Sequence, residues 1–357
     1  MRRSILGSVV VALIVTTVAP ASAAISEHPD AGTWGTNGRV RAVLHVGGVT
    51  YLGGKFTALV SSDGTQTLPR SNLAALDAAG QPLAWNPQAN NLVLSLVSDG
   101  SFIYAAGKFG NIGKHVAKIG LDGSIKTFVK TDHEVRSLDI QGSTLYMGGQ
   151  FGFVGKNPQP NLAAVTIPDG TFVSTFDPVV DGIVYAVGHF ADGNLLIGGS
   201  FSSVDGTSTG TVAELHPNGN LGPLMVSPPT EKTLTLHTNG SSAVIGVSQS
   251  GNKAMAYDEA GTRLWRVGCN GDIQAIDFTG GLWLLGGHFG HCVGVNIGKL
   301  LAVNPNGSIN TAYDWHITGG VKGIWAMDSA SSKLYAGGDF LFADGVSTPH
   351  YAQWTVS

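Results

Sequence analysis

The stretch Tyr146-Met147-Gly148-Gly149-Gln150-Phe151 decides the fold, because near-copies of it recur along the 357-residue chain. A complete copy has two apolar residues, a Gly-Gly or Ala-Gly pair, one polar residue and a phenylalanine. The copies are Tyr51–Phe56, Tyr104–Phe109, Tyr146–Phe151, Leu196–Phe201, Leu284–Phe289, Tyr335–Phe340 and a degenerate Val244–Val247. The first positions of successive pairs are 53, 42, 50, 48, 40 and 51 residues apart. A repeat of about 47 residues built from short apolar segments is typical of a β-propeller.

Each repeat predicts four short strands. The innermost carries a Val-x-Ala-Leu-like pattern, as in Val40–Val43, whose third residue is small where seven strands converge; in the last repeat we assign this pattern to Val321–Ile324. The paired glycines lack a Cβ, so a neighbouring backbone or side chain can approach them closely. No Lys-Ser/Thr pair or helix follows them, so we do not interpret them as a phosphate loop.

The fourth strand often ends on an aromatic residue. These residues are Trp85, Phe128, Phe176, Trp265 and Trp315. We expect them to wedge between neighbouring blades, with sugar-stacking platforms as the alternative.

The two ends of the chain predict how the ring closes. The last repeat stops after Tyr351–Val356, which matches a third strand, while Thr33–Asn37 parallels Ala84–Pro87 of the first repeat. We therefore predict that the N-terminal strand completes the last blade, which removes open sheet edges. The predicted fold is all-β: a seven-bladed β-propeller of four-stranded blades, the last blade closed by the N-terminal strand.

Residues 1–23 have the pattern of a signal peptide. Arg2 and Arg3 precede an apolar run, and Ala21-Ser22-Ala23 supplies a small-x-small cleavage site. A membrane anchor is the alternative, but the run is short for a span. We therefore expect a secreted protein in which residues 24–357 form a single propeller domain.

The charge balance argues against several partners. Without Arg2 and Arg3, 18 basic residues remain against 24 acidic ones, a net charge near −6, and the sequence contains no basic run. Nucleic acid and anionic membranes are therefore poor partner candidates. We expect no cofactor, no metal and no membrane span, and a monomer or a subunit of a secreted complex.

The repeat unit also resembles a known family. Tyr-x-Gly-Gly-x-Phe, then Asn-Leu-Ala-Ala-Leu-Asp (72–77) and Gly-x-x-x-x-Trp-Asn-Pro (80–87), is similar to secreted bacterial β-propellers with delta-60-type repeats, a domain of unknown function common in actinobacterial exported proteins. The resemblance covers essentially all of 38–354. It implies the fold and no particular activity, and the fifth repeat departs from the pattern.

The predicted binding face carries the long loops between strands two and three, together with the crossings into each new inner strand. Variable polar loops on a rigid scaffold are common sites of function. One polar residue follows each glycine pair, and its interpretation stays open between a ligand-contacting ring and solvation of strand ends. The candidate ligand-binding residues are Lys55, Lys108, Gln150, Ser200, His288 and Asp339 from the strands, and Asp132, His133 and Asp272 from the crossings.

Cys269 and Cys292 are the only cysteines. Both are predicted to lie on the long-loop face of the sixth blade, so in an exported chain we expect a disulfide. The alternative is a metal site that adds His288 and His291 to the two thiolates, although the spacing does not match the usual zinc sites.

The sequence predicts an extracellular binding module for a glycan or for a cell-surface or secreted protein. No catalytic serine, zinc-protease or nucleophile motif occurs. The first alternative is a secreted polysaccharide lyase or glycoside hydrolase, with His133 or His288 as base and Lys55 or Lys108 neutralising a uronate. A hydrolase would need two carboxylates, from a pool of Asp132, Asp272 and Asp339. The second alternative is a structural adaptor.

Overall fold

The computed structural model describes residues 24–249, 251–330 and 332–357. These residues form strands, turns and bridges and contain no helix, so the all-β expectation is confirmed. No helix in this part of the chain is therefore long and apolar enough to cross a bilayer. The expected signal peptide, residues 1–23, lies outside the described residues.

The strands follow one another in seven similar groups. The first three groups are β1 (Gly35–Thr36), β2 (Arg39–Val46), β3 (Val49–Lys55), β4 (Ala58–Val60), β5 (Thr67–Pro69), β6 (Leu73–Leu76); β7 (Val93–Ser98), β8 (Phe102–Gly107), β9 (Val116–Gly120), β10 (Ile125–Lys126); β11 (Val135–Gln141), β12 (Thr144–Gly149), β13 (Phe153–Val154), β14 (Asn157–Pro158), β15 (Leu162–Thr166). The fourth and fifth are β16 (Val184–His189), β17 (Leu195–Gly199), β18 (Ser203–Val204), β19 (Thr207–Ser208), β20 (Val212–Leu215); β21 (Thr233–Thr238), β22 (Ser242–Val247), β23 (Lys253–Asp258), β24 (Arg263–Gly268). The last two are β25 (Ile273–Thr279), β26 (Leu282–Gly287), β27 (His291–Cys292), β28 (Val295–Asn296), β29 (Leu300–Val303); β30 (Gly323–Ala330), β31 (Lys333–Asp339), β32 (Phe342–Ala343), β33 (Val346–Ser347), β34 (Tyr351–Thr355).

Seven antiparallel sheets contain the longer strands. In chain order they are β2-β3-β6, β7-β8-β9-β10, β11-β12-β15, β16-β17-β20, β21-β22-β23-β24, β25-β26-β29 and β30-β31-β34. We call them the first to seventh sheets. Each inner strand packs against the inner strand of the next sheet, and β2 of the first sheet also packs against β30 of the seventh.

Only the second and fifth sheets have a regular fourth strand, so the expectation of four strands in every blade is wrong. Elsewhere the fourth position is a single bridge, such as Leu76 with Pro82 in the first sheet or Val165 with Phe172 in the third. In the first sheet, hydrogen bonds from Asp77 N–H to the Gln81 oxygen and from Leu83 N–H to the Ala75 oxygen flank Pro82, and the pairing ends there.

Every inner strand contains a register shift near its start. In the first sheet the shift lies between Val40 and Ala42, and in the seventh between Ile324 and Ala326. The assignment of the inner pattern to Val321–Ile324 is therefore wrong by three residues, and Ile324-Trp325-Ala326-Met327 occupies that place. β30 begins at Gly323, which adopts a left-handed backbone, φ +70°. Ile324 follows it and packs on Gly286 of the sixth sheet, so it takes the first apolar place of the pattern.

The two glycines of each pair allow two different close approaches. A Cβ on Gly53 would lie 2.6 Å from Val93 Cγ1 of the next sheet, and one on Gly54 would lie 2.1 Å from the Arg39 carbonyl oxygen, beside the register shift. In the seventh sheet, a Cβ on Gly337 would lie 2.3 Å from Val40 Cγ1 of the first sheet. The first glycine thus allows neighbouring sheets to pack closely, and the second allows its strand to approach the backbone of the inner strand at the register shift.

The outer tryptophans lie between sheets, as expected. Trp85, Trp265 and Trp315 are buried, and each indole donates a hydrogen bond to a backbone oxygen outside its own sheet. The acceptors are Gly120 of the second sheet, Pro305 after the sixth sheet, and Ser26 near the N-terminus, at 3.0, 2.9 and 3.0 Å respectively.

The N-terminal residues pair with the seventh sheet, but not through the expected segment. Ile25 bridges Val356, and Ser26 N–H donates to the Thr355 oxygen at 2.8 Å. The segment Thr33–Asn37 instead contains β1, which pairs with β4 of the first long loop.

The long loops are ordered by small hairpins. Five loops contain two short paired strands: β4-β5, β13-β14, β18-β19, β27-β28 and β32-β33. In the third, fourth, sixth and seventh groups, the crossing into the inner strand bridges this hairpin, as Thr131 bridges Val154. Each loop is therefore attached to its own crossing.

The disulfide Cys269–Cys292 is confirmed and occupies such a bridge in the sixth group. Both sulfurs are consumed, so the alternative metal site would lose two of its four ligands. The two cysteines are 23 residues apart in sequence. Closing a loop of that length stabilises the fold by about 3 kcal/mol through chain entropy.

Candidate functional site

The polar residues after the glycine pairs do lie at the ends of second strands, facing the long loops. Lys55, Lys108, Gln150, Ser200 and His288 are exposed there, whereas Asp339 is buried. Asp339 accepts the N–H groups of Val321 and Lys322 and pairs with Arg39 Nε of the first sheet at 3.3 Å. This carboxylate therefore fastens the last crossing and connects the seventh sheet to the first.

Two lysines of this ring have protein partners. Lys55 donates to Asn91 Oδ1 at 3.2 Å, and Lys108 pairs with Glu134 at 2.8 Å. Glu134 also pairs with Arg136, so one carboxylate is shared by two cations.

Asp132 holds the start of the third long loop. Its carboxylate accepts the N–H groups of Gly152 and Phe153 at 2.9 and 3.0 Å and lies 3.1 Å from His133 Nδ1. Burial opposes ionisation of Asp132, but these hydrogen bonds outweigh it and lower the pKa of the carboxyl to about 2. Asp181 and Asn270 hold the fourth and sixth loops in the same way. Asp132 thus has a structural task, and the exposed His133 lies beside it.

A cavity of about 640 Å³, which we call the axial cavity, lies among the inner strands at their long-loop end. It receives residues from all seven inner strands, together with residues of crossings and of the loop between β22 and β23. The lining residues are Arg41, Leu94, Ser95, Arg136, Ser137, Tyr185, Ala186, Val187, Lys232, Leu234, Thr235, Leu236, Ser248, Gln249, Asp272, Gln274 and Trp325. Of the nine candidate residues, only Asp272 lines it.

The fifth repeat has the shortest loop beside the cavity. Only the five residues 248–252 separate β22 from β23, whereas the first long loop runs from residue 56 to 72. The degenerate glycine copy Val244–Val247 therefore precedes the shortest loop.

Sequence reasoning missed the main lining residues. They occupy the variable second position of the inner pattern, which holds Arg41, Arg136, Tyr185, Gln274 and Trp325. The inner strands are expected to be crowded, so large charged and aromatic side chains within them were the sequence signal for a cavity. The inner pattern is recognised by its small third residue, whereas the informative position is the variable second one.

Aromatic rings hold the cations of the cavity. The Arg41 guanidinium lies 3.4 Å from the ring centre of Trp325, and Tyr185 lies between Arg136 and Lys232 at 4.8 and 5.2 Å. Burial lowers the pKa of Arg41 to about 10, and the nearby Arg136 contributes to this shift. Arg41 therefore remains charged at neutral pH, and burial and the neighbouring guanidinium disfavour that charge.

A second depression of about 400 Å³ adjoins the axial cavity. It is lined by Asp181, Ser200 and Thr211 and shares Lys232 and Gln249 with the cavity. The ring residue Ser200 thus belongs to a groove that runs outward from the axis between the fourth and fifth sheets.

Histidine–aspartate pairs join neighbouring sheets at the other end of the inner strands. His189 Nδ1 lies 2.6 Å from Asp139 Oδ2, and His237 Nε2 lies 3.6 Å from Asp277 Oδ1. The hydrogen bond to Asp139 raises the pKa of His189.

This pair predicts a pH-dependent contribution to stability. A histidine whose folded pKa is raised stabilises the fold below its unfolded pKa of about 6.5, and the contribution disappears as the pH rises through the folded value. We therefore expect Asp139→Asn to lower Tm more at pH 5.5 than at pH 8.5, as read by circular dichroism. In a His189→Asn background the same change should lose its pH dependence, and an equal effect at both pH values in the original chain would contradict this assignment.

In the described residues, no group of three or more His, Cys, Asp or Glu side chains is arranged to hold a metal ion.

Comparison with known proteins supports the fold. A family model described as a domain of unknown function (DUF5122), a β-propeller, matches residues 191–221. No curated protein matches the sequence. The WD40 β-propeller domain of Doa1 superposes with a TM-score of 0.62 at 14% identity, covering 94% of this chain and 97% of that one. The computationally designed protein Ika8 superposes with a TM-score of 0.57 at 14% identity, covering 92% of this chain and 99% of that one. The chain is therefore similar in fold to β-propellers over most of its length, and in sequence to a propeller domain of unknown function over residues 191–221.

Proposed function

We propose that this chain is a secreted, seven-bladed, closed β-propeller that binds a glycan or an extracellular protein through its long-loop face. A propeller fold favours a binding module in general. The observation that carries the proposal is the axial cavity, because it gathers polar, cationic and aromatic side chains from every inner strand on that face. Concave sites with a few convergent polar groups are the usual places for ligands.

Contacts between the first and seventh sheets support ring closure. Gly337 packs on Val40, and Arg39 pairs with Asp339. The disulfide and the signal-peptide pattern of residues 1–23 support secretion, since disulfides persist in oxidising compartments.

The enzyme alternative has less support in the cavity. A glycoside hydrolase uses two carboxyl groups across the scissile bond. Asp272 lines the cavity, whereas Asp132 holds a loop and Asp339 holds the last crossing. His133 and His288 lie outside the lining, so a lyase would need a different base.

The adaptor alternative rests on apolar residues of the outer wall. Leu224, Val226 and Leu264 are about half exposed, and Val226 N–H donates to the oxygen of Gly261, three residues before Leu264. Such a patch is a possible contact for another protein.

The test incubates purified residues 24–357 with a panel of polysaccharides and with secreted proteins. It measures which of them the protein retains and, in parallel, whether sugar products are released. We expect retention without products, and at least a tenfold loss of affinity for Tyr185→Ala. The control Ser101→Trp, in the exposed turn of the opposite face, should bind normally. Loss of binding in the control alone would overturn the assignment of the face, and release of sugar products would favour the enzyme.

A further inference from the structure

The axial cavity has an excess of positive charge. Its lining contains Arg41, Arg136 and Lys232 but only one carboxylate, Asp272. Glu134 pairs with Arg136. Among the described residues, no carboxylate lies within ion-pair distance of Arg41 or Lys232. A ligand with negative charge would offset the cost of holding these cations together.

The aromatic side chains of the cavity support cations. One face of Trp325 is covered by the Arg41 guanidinium, and Arg136 and Lys232 both lie near Tyr185. A site for neutral sugars would leave such faces free to stack on a sugar ring. Here the rings hold the cations in position, which favours recognition of charge.

The same cavity also offers hydrogen-bond acceptors. Gln274 is 9% exposed, and its Oε1 is buried without a hydrogen-bond partner. The Asp272 carboxylate lies on the same lining. A ligand that satisfies this set must bring hydroxyl donors as well as an anionic group, because buried acceptors are costly when unpaired.

The groove between the fourth and fifth sheets indicates the direction in which a longer ligand would extend from the cavity. Lys232 and Gln249 belong both to the cavity and to the depression that contains Ser200 and Asp181. This continuity fits an extended ligand with one unit on the axis and its neighbours in the groove. A chain of hydroxylated units meets this requirement better than an acidic peptide, whose donors are mainly its backbone N–H groups.

We propose that the cavity binds a uronic-acid unit of an acidic polysaccharide, with the carboxylate facing Arg41, Arg136 and Lys232. The hydroxyl groups of this unit face Gln274 and Asp272, and adjoining sugars follow the groove past Ser200. This inference rests on the proposed binding function and names its ligand class.

The test compares matched ligands that differ only in the acidic group. Polygalacturonate is paired with its full methyl ester, and β-1,4-glucuronan oligomers are paired with cello-oligomers. Isothermal titration of residues 24–357 should show at least tenfold tighter binding of the acidic member in at least one pair, weakening as NaCl is raised. Equal binding of the acidic and neutral members in both pairs would overturn the inference and leave the binding function standing.

Substitutions locate the charge recognition. Lys232→Gln should weaken binding of the acidic ligand at least tenfold, and Lys232→Arg should restore most of it. The control Lys126→Gln, on the exposed outer strand β10, should change nothing. Tm values within about 2 °C of the original chain check that the variants fold.

Two other results would overturn the inference. Poly-glutamate that competes as well as the uronate polymer would identify an acidic peptide as the ligand. Retention of a secreted protein with no binding of any polysaccharide would support the binding function but show that its ligand is a protein and not a glycan.

Discussion

Replacing Gly287 with alanine is expected to lower the free energy of unfolding by about 3 kcal/mol or more. A Cβ at this position would lie 2.0 Å from the Asp272 carbonyl oxygen and 3.2 Å from Ile273 Cα. Both are backbone atoms, one in the last residue of the crossing and one in the first residue of β25, and Gly287 is held in place because it pairs directly with Ile273. The strands must separate or the register shift must move, and forced overpacking of a core costs about 1 to 3 kcal/mol even where side chains can adjust.

Gly290→Ala is the matched control for this prediction. Gly290 lies three residues further along, no heavy atom lies within 4 Å of the position that a Cβ would take there, and its φ is not positive. Its replacement should change stability by less than about 0.5 kcal/mol. The measurement is chemical denaturation followed by tryptophan fluorescence, and similar losses for both variants would show that glycine content matters rather than the close approach.

The same contact explains why the repeats could be found in the sequence. A Cβ on the second glycine of the pair would meet a carbonyl oxygen at equivalent places in six sheets; at Gly149 it would lie 2.4 Å from the Glu134 oxygen. A residue type imposed by backbone geometry recurs wherever the geometry recurs. The glycine pairs were therefore predictable from the sequence. The tryptophans at the ends of the fourth strands and the two cysteines also stand out in the sequence, and their packing and pairing were predicted as well.

The fourth strands and the chain ends were less predictable, because their positions depend on partners distant in sequence. Ile25 is far from Val356 along the chain, and nothing in Ala24–Ser26 resembles the fourth strand of another repeat. The segment Thr33–Asn37 has a tryptophan in the expected place, but β1 pairs with the first long loop.

The candidate residues and the axial cavity share a face of the molecule, but eight of the nine candidates lie outside the cavity lining. Residues after the glycine pair end their strands near the loops, where Lys55 and Lys108 find partners of their own. The second residue of the inner pattern lies at the axial cavity, where Arg41 of the first sheet and Trp325 of the seventh meet. Sequence shows which residues share a position in the repeat, but which of these positions line the cavity follows from how the sheets pack together.

Removing residues 24–29 is expected to lower Tm by roughly 5 to 10 °C and to promote self-association. These residues cover the outer edge of β34: Ala24 and Ser26 donate N–H groups to Ser357 and Thr355, and Ser357 donates back to Ala24. Ile25 is 3% exposed, and burial of such a side chain stabilises a fold by about 1.5 to 3 kcal/mol. Without the segment, β34 presents unpaired backbone groups to solvent, and such edges pair with other chains.

The loss should extend beyond the edge strand, because Ser26 accepts the hydrogen bond of the Trp315 indole. Trp315 is fully buried in the cluster that also contains Trp354, Phe340 and Ile25. An indole N–H left buried without a partner costs about 1 to 3 kcal/mol. Calorimetry and light scattering compare the shortened chain with residues 24–357. The control is Ser26→Ala, because it keeps the backbone oxygen that accepts the Trp315 hydrogen bond. If the shortened chain melts within about 1 °C of the original and stays monodisperse, the N-terminal residues do not hold the seventh sheet. Contacts with the first sheet, such as Gly337 with Val40, would then be enough to keep it in place.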